Sequence, residues 1–458
     1  MPPDVPAAVS WLRERSDVRT PETRADEWWR PDRHGPPAGE RAAAAGASPS
    51  SPVPFWALMG LTGVMLFSPQ NYVPALAPFR PALVTAGAGI AAYAFDSWSR
   101  GRRLVEWTRP MKLIVALILW AAATVPLSIW PGGSVAVVTD AYLKAVVIFW
   151  LLSGVIGTKE RLRQAAWLLT AMALGLGLFA VYNYATGEVF QSSAQERVLG
   201  NMASLTRNPN DLALMINLLV PLTVALFLGE RPGLKRHLLL AAIGIEVSTV
   251  GLTYSRAGAL TLGVIVLLYL WKLRGRPERS WLLGLVAALL LALPLVPASY
   301  FERLSTIASV DADRTGSSQE RWSDMVIAAK IVAANPVVGA GIGMNTLAMR
   351  EARGTGWAPV HNVYLEHAVD LGLPGLALFL LLLYSCLTLS RAAQRRYAEL
   401  GWGRTRLLAE GLEISLIAYA VAAMFHPVSY HPYFYYMAGL ALASWKIARG
   451  RANAEVPA

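Results

Sequence analysis

The sequence predicts an all-α polytopic membrane protein of about twelve transmembrane helices, with one long polar loop on the outer side. Three observations predict it. Hydrophobic residues fill 55% of 458 positions and charged residues only 16%. Uncharged apolar runs recur along the chain, and a span needs about 20 such residues. The net charge of +11 is spread over short connections between the runs, which is the positive-inside pattern and not the clustered basic face of a nucleic-acid binder. A β-barrel would instead show alternating segments of about ten residues.

Residues 1–52 are rich in Pro, Ala, Arg and acids and contain no apolar run. They read as a mostly disordered cytoplasmic tail and not as a secretory signal. Spans are expected near 53–68, 80–97, 111–129, 135–156, 163–185, 208–228, 237–253, 257–272 and 281–298, and then, after the polar loop 299–369, near 369–390, 410–427 and 430–448. A cytoplasmic tail, 449–458, follows. The stretch 237–272 is about 54 Å as one helix, too long for one crossing of a core of about 30 Å. The polar TYSRAG segment, 253–258, divides it.

Charge supports that division. With twelve spans, one set of loops collects Arg100, Arg102, Arg103, Arg109 and Lys112, then Lys159, Arg161 and Arg163, then Arg231, Lys235 and Arg236. The same side receives Lys272, Arg274, Arg276 and Arg279, and Arg391, Arg395, Arg396, Arg404 and Arg406. The opposite short loops hold only Arg80, Arg197, Arg207 and Arg256. Both termini are therefore expected in the cytoplasm and the loop 299–369 outside. Within that loop an amphipathic helix is expected over about 318–334, with Trp322, Met325, Val326, Ala329 and Val332 or Ala333 on one face and Glu320, Arg321, Asp324 and Lys330 elsewhere. Asn335-Pro336 ends it.

The candidate chemistry lies on the outer side. Arg207 opens RNPNDLA before span six, Arg256 lies in TYSRAGAL before span eight, and His361-Asn362 precedes span ten. All three spans start outside, so their N-termini share one surface. Asn208 or Ser255 at the cap and Pro209 at the first helical position are helix-start signals. A helix N-terminus offers free N–H groups and partial positive charge, which repels arginine unless an anion is bound there. Phosphate is the natural anion. Arg207, Arg256, Asn208, Asn210, Ser255, Asn362 and Arg321 are the candidate substrate-binding residues, and His361, which titrates near neutrality, is the candidate general base.

Simpler readings stand beside these. A single interfacial arginine can serve lipid headgroups or a loop acid such as Glu196, and an interfacial histidine can be structural. His426 and His431 in HPVSYHP lack HxxxH or HxH spacing, so no metal site is expected. GAGIG, 339–343, lacks the βαβ context of a dinucleotide loop and reads as a turn. The single cysteine, Cys386, lies in an apolar run and excludes a disulfide. Asp140 and Lys144, four residues apart, are expected to pair within span four, and Glu246 of span seven can join Lys144 across helices.

These strings resemble the O-antigen ligase and O-antigen polymerase superfamily of bacterial envelope glycosyltransferases, over roughly 200–390. His361-Asn362, nine residues and Gly372–Gly375 resemble a His-Asn-x9-Gly-x-x-Gly signature, and Arg256 with Leu260 an Arg-x3-Leu element. RNPNDLA and NPVVGAGIGMN resemble the segments that open the outer face and lead to the histidine. FSPQNYVPALAPFRP, 67–81, is similar to O-glycosylation ligases of exosortase-linked polysaccharide clusters. The resemblance implies a GT-C-like fold in the bacterial inner membrane, with the active face periplasmic. It implies metal-independent, inverting transfer from a glycan on undecaprenyl diphosphate to a glycan, lipid or protein acceptor, with no cofactor and no nucleic acid partner. Arg207 and Arg256 would hold the diphosphate, and His361 would act on the acceptor hydroxyl. Two other classes compete: a twelve-span secondary transporter, expected to concentrate ionisable groups at mid-membrane, and a scaffold of an envelope polysaccharide complex.

Overall fold

The computed structural model describes residues 51–452 except 193–194, 199, 202, 204, 277–278, 293–316 and 355. The expected tail 1–52, apart from its last two residues, lies outside the described residues. So do the end of the ninth span, the first part of the outer loop and most of the C-terminal tail. The helices, in order, are α1 (Val53–Phe67), α2 (Pro81–Ser99), α3 (Arg109–Thr124), α4 (Pro131–Val155, with a π-turn at Val138–Tyr142) and α5 (Lys159–Thr186). A hairpin of β1 (Val189–Ser192) and β2 (Gln195–Val198) follows. Then come α6 (Pro209–Gly229), α7 (Leu234–Leu252), α8 (Arg256–Leu273), α9 (Arg279–Ala292), α10 (Ser317–Ala334), α11 (Asn345–Arg353), α12 (Val363–Glu399), α13 (Gly403–Ala422) and α14 (Pro432–Ala452).

Each of the twelve expected stretches overlaps a helix, and 237–272 divides into α7 and α8 at a turn where Tyr254 takes φ 49°. Among the described residues seven helices, not twelve, are long and apolar enough to cross a membrane. The shortfall has local causes. α1 has only 15 residues, and α13 carries Arg404, Arg406, Glu410 and Glu413. The β1–β2 hairpin departs from the all-α expectation: antiparallel pairing satisfies the backbone of the connection between α5 and α6.

The bundle has two chemically different ends. At one end basic residues pair with acids. Arg276 grips Glu410 through two hydrogen bonds of 2.7 and 3.0 Å. Lys272 and Arg391 meet Glu413 at 2.7 and 2.6 Å, and Arg163 pairs with Glu230. These pairs tie the end of α8 to the start of α13, the end of α12 to α13, and the start of α5 to the end of α6. The other end gathers the starts of α6, α8 and α12. α6 is buried along almost its whole length, so the helix that presents Asn208 and Asn210 is fixed on every side.

α12 explains the GLPG string. Its first part, 363–371, is separated from the rest by Gly372, at φ 67° and ψ −175°, a conformation essentially open to glycine alone. A break in a helix leaves carbonyls without intrahelical donors, and here each finds another. Ala340 N–H donates to the Val369 carbonyl at 2.7 Å and Gly341 N–H to the Asp370 carbonyl at 2.9 Å. Trp120 Nε1 donates to the Leu371 carbonyl at 2.8 Å. Leu373 N–H turns away to the Pro336 carbonyl at 2.7 Å. The loop 336–343 thus plugs the kink. It approaches so closely that a Cβ on Gly372 would lie 2.1 Å from the Val337 carbonyl oxygen. The kink also folds Leu371 back, so that a Cβ on Gly375 would lie 2.2 Å from Leu371 Cβ. One glycine serves conformation and loop approach, and the other makes room for a side chain.

α12 begins at Val363, six residues before the expected span. α10 forms over the expected range but turns the other way. Asp324 and Ala328 are buried, while Trp322, Val326, Ala329 and Ala333 are exposed. The small Ala328 permits close packing beneath the helix, and Arg353 pairs with Asp324 there. These two contacts, and not the larger apolar stripe, set the orientation.

Candidate active site

The site begins with three helix caps. Asn208 Oδ1 accepts from Asn210 N–H at 2.8 Å, Ser255 Oγ from Gly258 N–H at 3.1 Å, and Asn362 Oδ1 from Tyr364 and Leu365 N–H at 3.0 and 3.1 Å. Each cap satisfies N–H groups that a first turn leaves open. The side-chain oxygens of Asn208, Ser255 and Asn362, expected to bind substrate, are therefore engaged in starting α6, α8 and α12. Arg207 is exposed at the start of α6, and Arg256, half-buried, is the first residue of α8.

A residue that the sequence left among ordinary loop charges joins two of these starts. Arg197, on β2, is buried. Its Nε donates to the Thr253 carbonyl at 2.9 Å, in the turn before α8, and its Nη2 to Asn210 Oδ1 at 2.7 Å. Asn210 carries the connection onward: its carbonyl oxygen lies 3.2 Å from His426 Nε2, and His426 Nδ1 lies 2.8 Å from the Ala422 carbonyl. The adjacent Ala423 carbonyl accepts from Val363 N–H at 2.7 Å, two residues beyond His361. The chain Thr253–Arg197–Asn210–His426 thus brings the starts of α6 and α8 to the loop that carries His361. The sequence held a signal for His426 in HPVSYHP, but none that separates buried Arg197 from an interfacial arginine.

His361 is half-buried. Burial pushes its pKa down to about 4, and the positive charges of Arg321, His426 and Arg353 act in the same direction, against the opposing pull of the Pro359 carbonyl. The ring is therefore neutral at neutral pH, the state in which it accepts a proton. Arg321, half-buried on α10, lies near enough to act on this ring. His367 does not: it is fully buried, stacks on Phe379 at 4.2 Å and has Nδ1 2.9 Å from the Val363 carbonyl.

The charges in the helix bodies stand apart. Asp140 and Lys144 pair at 3.8 Å on the exposed side of α4, as expected. Glu246 does not join Lys144. It is buried against α6, where Thr223 Oγ1 donates to it at 2.9 Å, because α7 packs on α5 and α6 and not on α4.

Residues 238–380 match the model of the O-antigen ligase family. The matched stretch contains Arg256, the α10–α11 region, His361 and the GLPG kink, and the match supports the O-antigen ligase and polymerase superfamily. Family members are glycosyltransferase-like enzymes, and the match supports a glycosyl-transfer role in O-antigen assembly. No curated protein matches the chain at a significant level. A solved structure described as "Structural coordination of polymerization and crosslinking by a peptidoglycan synthase complex" contains a similar chain, 19% identical, covering 74% of this chain and 98% of that one, with a TM-score of 0.36. That likeness is too loose to fix topology.

Proposed function

We propose that this protein transfers a glycan from undecaprenyl diphosphate to an acceptor hydroxyl at the periplasmic face of a bacterial inner membrane. The observation that carries the reading is the bonded chain from Thr253 through Arg197 and Asn210 to His426, which sets two arginine-bearing helix starts beside one neutral histidine. In this reading both termini are cytoplasmic and residues 299–369 face outward. The alternating charge of the connections supports that orientation.

The reaction is a single displacement. The acceptor oxygen bonds to the anomeric carbon from the face opposite the leaving group, its proton passes to His361, and the bond from the anomeric carbon to the diphosphate oxygen breaks. Inversion follows from that geometry. Arg207 and Arg256 hold the departing diphosphate, whose growing negative charge the two helix N-termini also favour. The bound anion brings negative charge to the neighbourhood of His361 and so raises its affinity for a proton. The same charge that holds the donor thereby strengthens the base. No cofactor or metal enters these steps. A polymerase of the same superfamily would run the same displacement with a second glycan chain as acceptor.

The test uses purified protein in detergent, a lipid-diphosphate glycan, an acceptor and EDTA. His361→Ala should lose glycan transfer by about 10²–10⁴-fold, the usual contribution of a general base, and still bind donor. His367→Ala should lose far less. Full activity of His361→Ala, or strict dependence of the wild type on a divalent metal, refutes the mechanism.

A further inference from the structure

We propose that Asn345 is a positioning residue for His361, held in place by the buried carboxyl pair Glu366 and Asp370. The inference rests on the role assigned to His361 above. Glu366 and Asp370 are four residues apart on the first part of α12, and both are buried. A buried carboxyl pair is costly unless its oxygens are hydrogen-bonded. Here the donors come from two separate segments, 343–345 and 429–430. Ser429 gives Glu366 Oε2 both its N–H, at 3.1 Å, and its hydroxyl, at 2.6 Å. Gly343 N–H and Tyr430 Oη donate to Asp370 Oδ2 at 2.9 and 3.0 Å. Asn345 Nδ2 donates to the same oxygen at 3.2 Å.

The other end of the Asn345 amide reaches the site. Its Oδ1 accepts from Val360 N–H at 3.2 Å. Val360 is fully buried and immediately precedes His361. On the far side Val363 N–H is held by the Ala423 carbonyl. His361 and Asn362 therefore form a two-residue bridge between two fixed peptides. A residue in the place of Asn345 must donate to a carboxylate and accept from a backbone N–H at once. A carboxamide does both from one rigid plane, whereas Lys and Arg only donate and an ionised carboxylate only accepts. The titratable groups facing the amide are Glu366, Asp370 and, through Asp370, Tyr430.

Asn345→Leu keeps the volume and removes both bonds. Two readouts separate positioning from packing: steady-state kinetics in the transfer assay, and the rate at which diethyl pyrocarbonate acylates His361, read by mass spectrometry against exposed His237. The expected result is a kcat lower by about 10²-fold, the scale of a misplaced catalytic group. The donor KM should stay within about twofold, and His361 should be acylated several-fold faster while His237 is unchanged. A wild-type acylation rate at His361 in Asn345→Leu overturns the inference whatever the activity. Asn345→Asp keeps the acceptor for Val360 but cannot donate to the carboxyl pair that holds it, so its His361 should also be acylated faster than in the wild type; a wild-type rate there also overturns the inference, and this variant serves if the leucine variant does not fold. Failure of the underlying reading looks different: His361→Ala would transfer glycan at the wild-type rate.

Discussion

Gly372→Ala tests whether the kink in α12 is a docking site or only a bend. The backbone there has φ 67° and ψ −175°, and holding a residue with a Cβ in such a region costs about 1–3 kcal/mol. Space adds a second cost. The new Cβ would lie 2.1 Å from the Val337 carbonyl oxygen and 2.8 Å from that of Pro336. Backbone atoms cannot swing aside as a side chain would, so the loop must lift. Three backbone bonds, Ala340 to Val369, Gly341 to Asp370 and Leu373 to Pro336, would break or stretch, together with Gly343 to the Asp370 carboxylate. At about 1 kcal/mol for each of the four lost bonds, added to the strain, the total is on the order of 5–7 kcal/mol. The control is Gly354→Ala, where φ is 75° but no atom lies within 4 Å of the new Cβ. It should cost only about 1–2 kcal/mol, the left-handed penalty by itself. Thermal unfolding of both variants in the same detergent decides. Equal shifts would mean that the close approach of the loop contributes nothing and that the kink is conformational only. Gly372→Ala should also lose glycan transfer, because the displaced loop carries Gly343 and Asn345, which grip Asp370.

Three further results are expected. Arg321→Ala removes a positive charge that disfavours protonated His361, so the acid limb of kcat/KM should move from about 4 toward higher pH: the base is lost where the ring is protonated, and a higher pKa brings that loss at a higher pH. A limb that stays in place would show that Arg321 does not act on the ring. Arg197→Met should cost about 1.5–3 kcal/mol, the value of a charged hydrogen bond, and should raise the donor KM because α6 and α8 lose their tie; an unchanged KM would mean that their starts do not hold the donor together. Single cysteines at Ser317 and Ser280, in a chain with Cys386 replaced, should be labelled by an impermeant reagent at 317 only, and labelling at 280 in intact cells would reverse the proposed orientation.

What the sequence revealed and what it hid follow one physical division. Helix starts were readable because a cap is local. Asn208 before Pro209 and Ser255 each bond to N–H groups two or three residues on, whereas the cap at Asn362 starts α12 six residues before the expected span. The break of 237–272 at TYSRAG was readable for the same reason. Burial of polar groups was not readable, because it depends on residues far along the chain. Arg197 looks like any loop arginine until the Thr253 carbonyl, 56 residues away, is seen to take its Nε. Glu246 looked like a partner for Lys144, and its actual neighbour, Thr223, gave no sign. The face of α10 was misjudged because the larger apolar stripe was expected to be buried. Close approach instead favours the smallest side chain, Ala328, and the acid that Arg353 can reach.

The spacing in the histidine string also acquires a reason. Between Asn362 and Gly372 lie nine residues of continuous helix, 363–371, about 13.5 Å at the usual rise. At one end is the cap that follows His361, and at the other the kink that receives the 336–343 loop. Along one side stand Glu366 and Asp370, which bind that loop, the 428–430 turn and, through Asn345, the peptide before the histidine. The rod is therefore both spacer and frame. Lengthening it by one residue would turn everything beyond the insertion by about 100° and separate the carboxyl pair from at least one of its loops. The count between histidine and glycine is thus a condition on geometry at both ends at once.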